Sequence, residues 1–147
     1  MNKIHDWLYQ GNLYDAITAA KGKTEIGCIL WFSQGIPLNL TYHSKIPIIH
    51  IPINDGRNSI EKMRVIKNVV TAPFLFLNTK VLVACRGGIS RSPMMVIYMI
   101  LNDSSLVHDL NLKDDFDAVY KFVKSKIPEM QPNQSLYRQV KSLWKGE

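Results

Sequence analysis

Apolar positions along the chain fall into two kinds of run. "IGCILWF" (26–32) and "KVLVA" (80–84) are continuous, rich in β-branched residues and of strand length, the pattern of strands covered on both faces. "KIPIIHIPI" (45–53) has the same character, but Pro47 and Pro52 remove backbone donors and push it to a sheet edge. Elsewhere the apolar residues recur at helical spacing. "LYDAITAA" (13–20), with Asn12 before it and Gly22 beyond its end, predicts a short capped helix. Ile60, Met63, Ile66, Val69 and Val70 predict another, capped by Ser59 or Asn58 and broken near Pro73, with "NDGRNS" (54–59) as the turn before it.

After the strand at 80–84, "SPMMVIYMILN" (92–102) is apolar almost throughout and predicts a helix with Ser92 as N-cap and Pro93 at the first helical position. Residues 104–112 predict a connection. "LKDDFDAVYKFVKSKI" (112–127) places Phe116, Val119, Tyr120 and Val123 on one helical face, with an acidic start and a basic end that suit the helix dipole. Pro128 and Pro132 punctuate, and "NQSLYRQVKSLW" (133–144) returns to helical spacing with Leu136, Val140, Leu143 and Trp144. Strands interleaved with helices predict an α/β domain in which helices pack against a central, at least partly parallel sheet.

Length and composition narrow this little. The 147 residues suit one domain over 1–147, and 46% hydrophobic with 20% charged residues is ordinary for a folded chain. Lys and Arg number 18 against 12 Asp and Glu, a net charge of +6. That balance favours anionic ligands such as phosphate esters, nucleic acid or acidic peptides, or it reflects a basic soluble surface and nothing more. The basic residues are scattered, so no nucleic-acid-binding arm is indicated. The first residues lack the apolar stretch of a signal peptide, and no apolar run approaches the roughly 18 residues of a membrane span. A soluble intracellular chain, cytoplasmic or nuclear, is expected. Its two cysteines, Cys28 and Cys85, fit a reducing compartment rather than a disulfide scaffold, and no zinc-type Cys/His pairing exists.

The chemistry concentrates after the strand at 80–84. Cys85 and Arg91 stand in a Cys-x5-Arg pattern, weak by itself but here set between a buried strand and a helix N-terminus, with Gly87 and Gly88 inside it. Glycines let successive backbone N–H groups turn inward as an anion nest, the helix adds its positive end, and an arginine offers a planar fork to two oxygens of a tetrahedral oxyanion. The loop amides of Arg86, Gly87, Gly88, Ile89, Ser90 and Arg91 would enclose a phosphate. A thiol beside Arg86, Arg91 and a helix N-terminus is favoured as its thiolate, the form that attacks phosphorus. An inert buried cysteine would explain neither the glycines nor the arginine. Displacement of an alkoxide then calls for a proton donor, and later for a base toward water. Asp55 in "PINDGRNS" sits on a turn after a predicted strand and fits both jobs, although Asp-Gly is also an ordinary turn pair. Ser92 caps the helix, points its hydroxyl at the sulfur, or does both. Arg86 either helps select anionic substrates or faces solvent.

Four stretches in order, "WLYQGNLYDA", "CILWFS", "IPINDG" and "VLVACRGGISRSP", and then "QPNQSLYRQV" near the end, resemble the small, atypical dual-specificity phosphatases of the Cys-based protein tyrosine phosphatase superfamily. The resemblance covers almost the whole chain. It implies a central, mostly parallel or mixed sheet of about five strands flanked by helices, no metal or other cofactor, and phosphoprotein substrates carrying phosphotyrosine, phosphoserine or phosphothreonine. It also implies Cys85 as nucleophile, Arg91 as phosphate clamp, Asp55 as general acid then base, and Ser92 as the hydroxyl that assists hydrolysis of a phosphocysteine. One position departs from the family: a histidine usually precedes the cysteine, and here Ala84 stands there, which predicts a thiolate less stabilised than in relatives. Cys28 lies early in its strand, so a protective disulfide with Cys85 is not expected. RNA 5′-triphosphate ends and phosphoinositides are alternative substrates, but "CRGGISRS" carries neither the His and Asn of RNA-directed relatives nor the lysines of phosphoinositide-directed ones. A phosphate-binding pseudophosphatase is the non-enzymatic alternative, with Ala84 its only hint.

Overall fold

The computed structural model describes residues 1–72 and 78–144. In chain order the elements are β1 (Asn2–His5), β2 (Leu8–Gly11), α1 (Leu13–Ala20), β3 (Ile26–Trp31), α2 (Leu38–Thr41), β4 (Ile48–His50), α3 (Ile60–Val70), β5 (Lys80–Ala84), α4 (Arg91–Leu101), α5 (Ser104–Asp109), α6 (Phe116–Lys126) and α7 (Gln134–Trp144). The strands form one five-stranded sheet in the order β1-β2-β5-β3-β4. β1 pairs antiparallel with β2, and all other pairs are parallel. The fold is the expected α/β architecture with a mixed sheet between helices.

The two continuous apolar runs become β3 and β5 in the middle of the sheet, which explains why neither shows alternation: each is covered on both faces. On one face Val81 and Val83 join Leu30 and the buried side of α4, where Met94 through Ile100 are all buried. On the other face Leu82 and Ala84 meet Ala16, Ala19 and Ala20 of α1, whose small side chains let the helix lie close to the strands. The proline-flanked run keeps only Ile48–His50 as strand, at the sheet edge, as the missing donors dictate. Asn12 caps α1 with a reciprocal capping box to Asp15.

Three local expectations change. Helix α4 starts at Arg91 with Ser90 as its N-cap residue, so Ser92 is not the cap and Pro93 is the third helical residue, tolerated because first-turn amides have no helical acceptor to lose. Residues 104–109 are helical rather than part of a connection: Asp103 caps Leu106 N at 3.1 Å, and Leu106 and Val107 are buried, an element too short to display a period. Helix α6 begins at Phe116, not 112, because Asp115 accepts from Ala118 N at 2.8 Å and caps it there. Strand β1 and the single turn α2 carry no signal in the sequence pattern. The expected break at Pro73 lies outside the described residues.

Candidate active site

The loop from Cys85 to Ser90 leaves the carboxyl end of the central strand β5 and enters α4, the place where parallel α/β sheets open a crevice. Its base is tied to both neighbouring strands. Cys85 N donates to Gly11 O at 3.4 Å, Leu13 N to Arg86 O at 3.1 Å and Phe32 N to Ala84 O at 2.8 Å. The cysteine is 2% exposed, and the loop curls around its sulfur. Gly88 N donates to Sγ at 3.2 Å and Ser92 N at 3.4 Å, while the thiol lies 3.3 Å from Ser92 Oγ. Arg91 opens α4 and is half-buried, with no ion pair among the described residues.

The curl depends on one of the two glycines. Gly88 has φ +73°, and a Cβ there would stand 2.9 Å from Asn12 Cβ and 3.2 Å from Asn12 N. Gly87 has no left-handed φ, and a Cβ would meet nothing nearer than Ile89 Cγ1 at 3.9 Å. Gly88→Ala is therefore expected to destabilise the chain by about 2–3 kcal/mol, from left-handed strain and displacement of Asn12, whereas Gly87→Ala shifts stability by less than about 1 kcal/mol. Urea midpoints of the two variants check this, and equal shifts would contradict it.

The six loop amides do not all point the same way. Arg86 N donates to Ser33 Oγ at 3.3 Å and Gly88 N to the sulfur, whereas the amides of Gly87, Ile89, Ser90 and Arg91 meet no acceptor among the described residues. These free donors, the N-terminus of the eleven-residue α4 and the Arg91 guanidinium together suit an oxyanion.

Asp55 lies in the segment between β4 and α3 and reaches this loop directly: Ser90 Oγ donates to its Oδ1 at 2.5 Å. Asn133 N, just before α7, donates to the same Ser90 oxygen at 2.8 Å. The Asp55 segment is braced from below by Asn58, which is buried. Its Oδ1 accepts from Asn54 N at 2.8 Å, and its Nδ2 donates to Asn54 O at 3.3 Å and Gly56 O at 3.1 Å. Gln139 of α7 grips the Asn58 main chain twice, accepting from its N at 2.9 Å and donating to its O at 2.6 Å. Ser59, not Asn58, caps α3 through Lys62 N at 3.1 Å. Asn58 and Gln139 are thus structural supports of the site that local sequence pattern does not reveal.

A further support is Gln10 of β2, 0% exposed, which lies beside the cysteine loop. Its one sequence signal is polarity inside "LYQG", a strand otherwise suited to burial. Its Nε2 donates to Ser92 Oγ at 2.7 Å and to Gly88 O at 2.8 Å, and its Oε1 accepts from Asn2 Nδ2 at 2.9 Å. Ala84 packs on the opposite face of β5 among the alanines of α1, where an imidazole would have to displace them. Cys28 is buried, and burial pushes its thiol pKa up. It pairs with Val81, four residues before Cys85, hence about 13 Å down the sheet and beyond disulfide reach. Among the described residues no group of three or more His, Cys, Asp and Glu is placed to hold a metal ion, and no helix is long and apolar enough to cross a membrane.

A cysteine wrapped by a loop of amides between a central parallel strand and a helix N-terminus, with a carboxylate held against that loop, is the architecture of a cysteine-based phosphatase. The family profile "Dual specificity phosphatase, catalytic domain" matches residues 8–145, and the chain belongs to that family. Solved structures agree in fold at low identity. Human DUSP28 superimposes with a TM-score of 0.72 at 15% identity, covering 99% of this chain and 96% of that one. DUSP15 gives 0.72 at 22% identity, with 99% and 88% covered. A human tyrosine phosphatase-like serine/threonine/tyrosine-interacting protein gives 0.71 at 22%, with 97% and 94% covered. A search of curated proteins returned no match.

Proposed function

We propose that this protein phosphatase domain dephosphorylates phosphotyrosine and phosphoserine or phosphothreonine in proteins through a phosphocysteine. Cys85 Sγ attacks phosphorus, the P–O bond to the substrate breaks, and the departing oxygen takes the proton of Asp55. Water then attacks the phosphocysteine, giving its proton to the Asp55 carboxylate while the S–P electron pair returns to sulfur. The guanidinium of Arg91 and the amides of Gly87, Ile89 and Ser90 hold the three phosphoryl oxygens through both steps. Ser92 steadies the sulfur when it leaves.

The observation that carries this reading is the convergence of Cys85 and Asp55 on one loop: Gly88 N and Ser92 N point at the sulfur, and Ser90 of the same loop holds the carboxylate. The +6 net charge supports a phosphorylated substrate without selecting it. The test is to mix the protein, in chelator, with a phosphotyrosine peptide, quench in denaturant within the first turnover, and map the phosphoryl group by peptide mass spectrometry. A phosphoryl group on the peptide containing Cys85 is expected. Modification of another side chain, or turnover that stops in chelator, would overturn the reading. A panel of phosphoserine peptides, triphosphorylated RNA and phosphoinositide vesicles then ranks substrates, with the peptides expected first.

A further inference from the structure

We infer that Gln10 is a positioning residue for the Ser92 hydroxyl, fixing which way its single proton points and so supporting departure of the Cys85 sulfur from phosphorus. The inference rests on the phosphocysteine reading and adds to it a residue on a different strand, 82 positions from Ser92.

A glutamine amide has two N–H donors on one end and an acceptor oxygen on the other. Gly88 O is a carbonyl and only accepts, so at 2.8 Å it requires the NH2 end of Gln10, and that settles the orientation of the amide. The Gln10 oxygen is then turned to Asn2, whose Nδ2 donates to it at 2.9 Å. The remaining N–H of Gln10 goes to Ser92 Oγ at 2.7 Å, and there the serine oxygen must accept. One lone pair of Ser92 is thereby occupied, and its O–H has two outlets at equal distance: Gly11 O at 3.3 Å and Cys85 Sγ at 3.3 Å.

These two outlets match two states of the sulfur. While the thiol carries its proton, it donates to Ser92 Oγ and the serine O–H goes to Gly11 O. When water displaces sulfur from phosphorus, the S–P bond breaks and the electron pair stays on sulfur. The thiolate then accepts, and the serine O–H turns from Gly11 O to Sγ without the oxygen moving. Gln10 holds that oxygen in both states, and because both of its protons are committed it never competes for the serine proton. Without Gln10 the hydroxyl has a free lone pair in a buried place and no anchor against the strand.

In Gln10→Leu the second step is expected to slow about tenfold, the worth of one buried hydrogen bond in a transition state. The first step should change little. With p-nitrophenyl phosphate the variant should show a burst of nitrophenol near one per site, followed by a slower steady state. Ser92→Ala should show the same split, and the double variant should be no slower than Ser92→Ala alone, since Gln10 acts through that hydroxyl. Gln10→Met, unbranched and of similar length, repeats the test should leucine disturb folding, which an unchanged inhibition constant for inorganic phosphate rules out. A steady-state rate within about twofold of wild type for a phosphate-binding Gln10 variant, or losses that multiply in the double variant, overturns the inference. Persistence of activity in Cys85→Ser would instead overturn the phosphocysteine reading beneath it.

Discussion

Cys85→Ser is expected to lower turnover of p-nitrophenyl phosphate and of phosphotyrosine peptides by on the order of 10⁴-fold or more, the scale seen when a nucleophile is removed from a site that otherwise stays assembled. The surroundings of the sulfur give the reason. Its partners are two backbone N–H groups, of Gly88 and Ser92, and the hydroxyl of Ser92. Donors favour an anion, and a thiol becomes one at modest cost. A serine hydroxyl needs a base to take its proton, and none of these three partners is one. Oxygen is also smaller than sulfur, so the substitution should leave the loop closed around it and inorganic phosphate should still bind. The measurement is the steady-state rate together with the inhibition constant for phosphate. A rate within tenfold of wild type would remove Cys85 from the nucleophile role, whereas loss of phosphate binding would mean that the loop itself had collapsed.

The parts of this protein that were legible in the sequence are those whose cause is local. Strands β3 and β5 read as continuous apolar runs because both faces are covered, and the helices α1, α3, α6 and α7 read through their spacing. Cys-x5-Arg with its glycine is likewise a local device, in which seven consecutive residues bring sulfur, amides and guanidinium together. What escaped reading depends on distant partners. Ser92 looks like a helix cap, but its hydroxyl is engaged by Gln10 and Gly11 of another strand, and the helix begins one residue earlier, at Arg91, with Met94 N donating to Ser90 O. Asn58 looks like turn chemistry, yet its main chain is gripped by Gln139, 81 residues on. Gln10 reads only as a polar interruption of a strand until the fold sets Gly88 O and Ser92 Oγ against it. Buried polar side chains of this sort answer to hydrogen-bond partners, and periodicity carries no information about those. Ala84 is the converse case: the departure from the family pattern is obvious in sequence, but its side chain belongs to the α1 face and touches the site only through the backbone.

The same distinction shapes the expected behaviour of Asp55→Asn. Asparagine keeps an oxygen where Asp55 Oδ1 accepts from Ser90, and the brace of Asn58 and Gln139 acts on the backbone around position 55 and not on its side chain. Fold, loop closure and phosphate binding should therefore survive, and only the transferable proton is lost. Its value depends on the leaving group. An alkoxide such as that of serine departs poorly without protonation, so phosphoserine peptides should lose on the order of 10²–10⁴-fold in kcat. Nitrophenolate is stable as an anion and gains little from the acid, so the first step with p-nitrophenyl phosphate should fall far less. In the second step the missing carboxylate no longer takes the proton of water, so phosphoenzyme should accumulate with that substrate and appear as a burst in stopped flow. Equal losses on good and poor leaving groups would show that Asp55 acts by holding Ser90 in place rather than by moving a proton. The brace predicts otherwise, because the Asn58 and Gln139 contacts and the Asn133 N–H to Ser90 at 2.8 Å remain when the carboxyl becomes an amide.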